Sequence, residues 1–167
     1  MTLAKICSRD AAQATPQTLI SSIVRTMRDR NIGSVVIVDD ARRPIGIVTD
    51  RDLAIRVLEP GLDPKATLAD AVMTRNVRTM PASASANEAL ETMRQLGVRR
   101  LPVVGVRGEL FGIVSVDDVL QRVAEELGSL SLVLAHSVGG ARLPVRRGNG
   151  VSKDGSPMSR SQGEAEC

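Results

Sequence analysis

The chain writes nearly the same octapeptide twice, GIVTDRDL at 46–53 and GIVSVDDV at 112–119. A slide of 66 residues lays VRTMRDRNIGSVVIV (24–38) on LETMRQLGVRRLPVV (90–104), and PIGIVTDRDL (44–53) on LFGIVSVDDV (110–119). The overlay is ungapped over about residues 24–57, and Met27 meets Met93, Ile32 meets Val98, Gly46 meets Gly112 and Asp52 meets Asp118. Upstream, ATPQTL (14–19) and TMPASAS (79–85) correspond after a one-residue adjustment. Internal repetition on this scale means one supersecondary unit used twice. A single copy is too small to bury its sheet, so the two must share a core.

Each copy reads as β-α-β-β-α. A short extended piece ends near Pro16 or Pro81. An amphipathic helix follows, with Leu19, Ile20, Ile23, Val24 and Met27 on one face at three- and four-residue spacing. Ala86, Ala89, Leu90 and Met93 form that face in copy two. SVVIVDD and PIGIV, or LPVVGV and LFGIV, then make a hairpin across a short turn. The near-continuous Val/Ile runs predict strands covered on both faces. Thr49 or Ser115 opens the second helix, whose apolar residues are Leu53, Ile55, Val57 and Leu58, or Val119, Leu120, Val123 and Leu127.

The predicted fold is α/β (α+β), two repeats packed sheet to sheet. The first repeat is set at 1–59, connector and second repeat at 60–127, a helical extension at 128–138 and a disordered tail at 139–167. Within the connector, Thr67 is expected to cap a short helix over LADAVM.

Phe111 is the single aromatic residue, which disfavours modes that stack bases on aromatic platforms. Net charge is +3, from 22 basic and 19 acidic residues, a weak footprint for a nucleic-acid binder. The short basic stretch RLPVRRG (142–148) reads as solvated linker. Cys7, Cys167 and His136 form no metal or nucleophile spacing, so no metal site and no enzyme are expected. The N-terminus lacks a signal-peptide apolar core, and no run approaches the roughly 18 apolar residues of a membrane span. A cytoplasmic protein is the expectation.

The recurring Ser/Thr-x-x-Asp has two readings. As a capping box, the hydroxyl accepts from a first-turn amide and the Asp accepts from the amide of the cap residue. As a ligand site, the same helix start offers free amides and partial positive charge to a phosphate. Thr49 or Ser115 would then donate to phosphate oxygen. Asp52 and Asp118 would turn from phosphate toward a ribose, whose vicinal hydroxyls suit an acceptor-only group. Gly46 and Gly112 would let the backbone run close to a ligand or a facing strand.

The paired units NIGSVVIVDDARRPIGIVTDRDL and GVRRLPVVGVRGELFGIVSVDDVL resemble tandem cystathionine-β-synthase (CBS) domains, the pair called a Bateman module. The resemblance covers about residues 3–127. It implies a pseudo-two-fold arrangement with two clefts that take AMP, ADP or ATP, or another adenosyl ligand such as S-adenosylmethionine. It also implies a regulatory role, homodimerisation and, as in the stand-alone members, a protein effector reached in trans. The alternative is a CBS-fold interaction protein that binds no nucleotide. By the same resemblance the hydroxyls go to phosphate and the Asp residues to ribose. Adenine would lie against Ile47 and Val35 in one cleft, and Ile113 and Leu101 in the other. Arg100 stands where some nucleotide-binding relatives carry a phosphate-contacting arginine, and it is expected to serve bound phosphates in the central cavity; a solvated strand entrance is the alternative reading of Arg99 and Arg100.

Overall fold

A computed structural model describes residues 1–139, with side chains described as far as Leu134. Most of the expected tail, with RLPVRRG and Cys167, lies outside the described residues, as does the side chain of His136. One compact unit, Met1–Leu130, holds both repeats. The last helix is described as far as Gly139.

In chain order a 3-10 turn over Leu3–Lys5 precedes β1 (Gln13–Ala14), α1 (Ile20–Asp29), β2 (Ser34–Val38) and β3 (Pro44–Thr49). Helix α2 (Asp50–Leu53) runs on as a wider π turn, Ala54–Leu58. Then come α3 (Ala69–Val72), β4 (Thr74–Arg75), β5 (Met80–Pro81) and α4 (Ala86–Leu96). The sequence closes with β6 (Arg100–Val104), β7 (Leu110–Ser115) and α5 (Val116–Gly139). One sheet has the order β1-β2-β3-β4 and the other β5-β6-β7. The hairpins β2–β3 and β6–β7 are antiparallel, with a register shift at the same place in each, Ile37/Val38 and Val103/Val104.

Alternation along β2 divides its side chains between two cores. Val35 and Ile37 join Ile20, Ile23 and Met27 of α1 beneath the first sheet. Val36 and Val38 point the other way and meet Leu110 of the second sheet. All five β2 residues are buried, as the unbroken apolar run predicts. The second core is built alike from Ala86, Ala89, Met93, Leu101, Val103 and Val114. The sheets are also joined where Leu110 N–H donates to Arg42 O at 2.8 Å.

The ends of the repeats cross over. Leu3, fully buried, sits in the second core. Ser8 bridges Ile113 on the outer edge of β7. On the first sheet β4, from the connector, takes the same place beside β3, Gly46 facing Arg75. Ser8 and Thr74 are 66 residues apart, so the repeat extends through the N-terminal segment. The spacing also holds at β1 and β5, where Ala14 pairs with Ile37 and Met80 with Val103. The one-residue adjustment expected upstream is therefore not needed.

Other local expectations shift. Leu68, not Thr67, is the N-cap of α3, and it makes no side-chain cap bond. The Thr67 hydroxyl instead donates backward to Asp63 O at 2.8 Å, closing the connector turn. Of the helix stripes, Ile20, Ile23, Met27, Val57 and Val119 are buried. Val24, Leu58, Leu120, Val123 and Leu127 remain exposed in the single chain.

Candidate functional site

Both Ser/Thr-x-x-Asp motifs form capping boxes. Thr49 Oγ1 accepts from Asp52 N–H at 3.2 Å, and Asp52 Oδ2 accepts from Thr49 N–H at 2.9 Å and Thr49 Oγ1–H at 2.6 Å. Ser115 and Asp118 repeat this at 3.2, 2.7 and 2.6 Å. The amides at the start of α2 are consequently taken. Asp50 N–H goes to Gly33 O and Arg51 N–H to Asp50 Oδ1. Copy one thus lacks the free helix-start amides expected for a phosphate.

The two aspartates then part. Asp52 Oδ1 accepts from Thr74 Oγ1–H at 3.3 Å and lies 3.4 Å from Arg56 Nη1. Among the described residues, Asp118 Oδ1 has no hydrogen-bond partner, and Asp118 lines a cavity.

Two clefts stand at 66-related positions. The first, about 510 Å³, is lined by Ile47, Thr49, Thr74, Val98 and Leu101 together with five arginines and Asp50. The second, about 250 Å³, is lined by Ser8, Ile32, Ser34, Ile113 and Ser115, with three aspartates and Arg100. Arg100 reaches both. Its Nη1 donates to Ser34 Oγ at 2.8 Å. Ser34 is its own counterpart at the 66-residue shift, so this bond joins equivalent positions of the two repeats.

Ile47, Thr49, Leu101 and Arg100 are gathered at the first cleft, and Ile113, Ser115, Asp118 and Arg100 at the second. Val35 reaches neither. It is 1% exposed, and Ile47 faces Val36 across the hairpin, so Val35 points into the opposite core. Leu101, expected beside Ile113, is packed in the second core and borders the first cleft instead. Gly46 and Gly112 approach the facing segment. A Cβ on Gly112 would stand 2.5 Å from Ser8 O, and one on Gly46 2.6 Å from Met73 Sδ.

Residues that sequence reasoning passed over include Arg51, Arg75 and Arg78 in the first cleft, and Asp10 and Asp117 in the second, while Arg99, read as a solvated strand entrance, also lines the first. Arg51 and Asp117 were visible inside the repeated octapeptide as a reversal of charge. Among the described residues there is no group of three or more His, Cys, Asp or Glu suited to a metal. None of their helices is long and apolar enough to cross a membrane.

Fold and site together define a tandem-repeat α/β module with twin clefts. The family model for the CBS domain matches residues 3–59 and again 68–125, and the chain belongs to that family. It is 39% identical over 121 residues to the uncharacterized protein MK0525 of Methanopyrus kandleri, covering 72% of this chain and 62% of that one. A CBS-domain protein from Burkholderia ambifaria MC40-6 superposes with TM-score 0.67 at 30% identity, over 74% of this chain and 93% of the other. The CBS domain pair of protein MJ0100, solved with 5'-methylthioadenosine and S-adenosyl-L-methionine, superposes with TM-score 0.67 over 75% and 98% of the two chains. At 22% identity it shows the shared fold alone.

Proposed function

We propose that the chain is a regulatory module that binds an adenine nucleotide, AMP, ADP or ATP, between its repeats and signals in trans to a protein effector. Support comes chiefly from one observation. Two clefts at equivalent positions each combine an isoleucine, a capping hydroxyl and the shared Arg100. The isoleucines give an aliphatic bed for a purine, and Arg100 offers charge-assisted bonds to phosphate. Asp118, with one oxygen unengaged, suits a ribose in the second cleft. In the first, Asp52 would have to release Thr74 to do the same. Binding that favours one arrangement of the repeats over another would carry the signal.

The module works as a homodimer in a cytoplasmic setting. Both repeats leave apolar helix faces in solvent, Val24 and Leu58 in one and Leu120, Val123 and Leu127 in the other. Such patches mark interaction surfaces. A second reading, an interaction protein without nucleotide, draws on the capping boxes, which account for Ser/Thr-x-x-Asp with no ligand.

Native mass spectrometry of freshly purified protein tests the proposal, together with calorimetric titration of AMP, ADP and ATP. The expected result is a dimer with bound nucleotide mass. No heat and no melting shift with any adenine nucleotide would leave the interaction protein standing.

A further inference from the structure

The two clefts share a backbone and differ in charge at several equivalent positions. Arg51 in the first is Asp117 in the second, Asn76 is Asp10, Arg78 is Ala12 and Arg99 is Gly33. Internal pairing does not erase the contrast. Arg75 is held by Asp70 at 2.8 Å, Arg99 lies 3.4 Å from Asp117, and Asp10 is held by Arg30. Among the described residues, the side chains of Arg51 and Arg78 have no hydrogen-bonding or ionic partner. The first cleft therefore keeps two uncommitted guanidinium groups besides Arg100. The second keeps the unengaged oxygen of Asp118.

Volume runs the same way. The first cleft, about 510 Å³, falls in the usual range of small-molecule pockets, ~300–1,000 Å³. The second, about 250 Å³, is half that size. A polyphosphate needs length and cations. A nucleoside needs an aliphatic slot and an acceptor for its hydroxyls.

Resting on the adenine-ligand reading above, we infer that the clefts divide their ligands by charge. The first takes the polyphosphate nucleotide on Arg51, Arg78 and Arg100. The second takes an adenosine derivative without phosphate, and Asp118 repels a polyanion there. The chain then reads two ligands at once, with Arg100 as the group both can touch.

Calorimetry on the full chain tests this with ATP and 5'-methylthioadenosine as probes, each alone and each into protein saturated with the other. One ATP per chain is expected, and 5'-methylthioadenosine binds the ATP-saturated protein. Arg51→Ala with Arg78→Ala weakens ATP about ten- to a hundred-fold, since hydrogen bonds to charged groups are the strong ones. It leaves 5'-methylthioadenosine unchanged. Arg51→Asp, which places the second cleft's residue in the first, weakens ATP further than Arg51→Ala. Two ATP per wild-type chain, mutual displacement of the probes, or unchanged ATP affinity in the double variant would overturn the division. Binding of one probe alone overturns the half assigned to the other. Silence with both overturns the nucleotide reading itself.

Discussion

The first cleft is wide and basic, the second narrow and acidic, although the same hairpin and capping box shape both. The repeats share the parts that set the backbone: the glycine before the cap, the hydroxyl and the Asp three residues on. Charge at the rim differs, and exposed side chains there carry little of the fold. The two halves are thus alike in architecture and opposite in electrostatics. Their cores differ as well. The second depends on the N-terminal segment through Leu3, whereas its counterpart in the first is the small Ala69, also fully buried.

The largest expected effect separates the cores. Leu3→Ala should cost about 2–5 kcal/mol, the usual range for a buried Leu truncation. Urea unfolding monitored by circular dichroism would show it. A loss under about 1 kcal/mol would mean the segment is not integral to the second core.

Next are the glycines. Gly112→Ala drives a Cβ against the backbone oxygen of Ser8, while Gly46→Ala first meets the movable end of Met73. Overpacking costs about 1–3 kcal/mol, and the second repeat should sit at the top of that range. Equal melting-temperature shifts for the two variants would contradict the asymmetry.

The aspartates sharpen it further. Either Asp→Ala change loses a capping box, about 0.5–2 kcal/mol. Asp52→Ala also loses Thr74 and Arg56 and should fall at the upper end. Asp118→Ala should destabilise less and weaken 5'-methylthioadenosine more. Thermal melts and titration read both quantities on the same samples.

The smallest effect concerns Cys7, beside Gly112. Burial pushes its thiol pKa above the ordinary value of 9.0, partly offset by Arg9. A raised acid favours the neutral thiol in the folded state. Its contribution is present below about pH 9 and is lost as pH rises through the folded value. Wild type should therefore lose slightly more stability than Cys7→Ser between about pH 8 and pH 10.5.

Much of this was legible in the chain. Val/Ile runs broken by short turns gave two hairpins, and Thr49–Asp52 and Ser115–Asp118 gave two helix starts, because strand pairing and caps are local chemistry. Repetition of those signals fixed the family. Val35 was misplaced because strand alternation assigns a residue to one of two faces without saying which face meets the ligand. Register settled it, through Ile47 opposite Val36.

By itself, then, the sequence determined a twofold β-α-β-β-α unit with capped helices and an aliphatic core. Tertiary structure alone decided that residues near Ser8 complete the second sheet and residues near Thr74 the first. It also decided which charges gather in which cleft. Each cleft draws on segments far apart in the chain, Arg51, Arg78 and Arg99 in one, Asp10 and Asp117 in the other. Local pattern sets the conformation of each segment, while the partners a charge will meet depend on how distant segments pack.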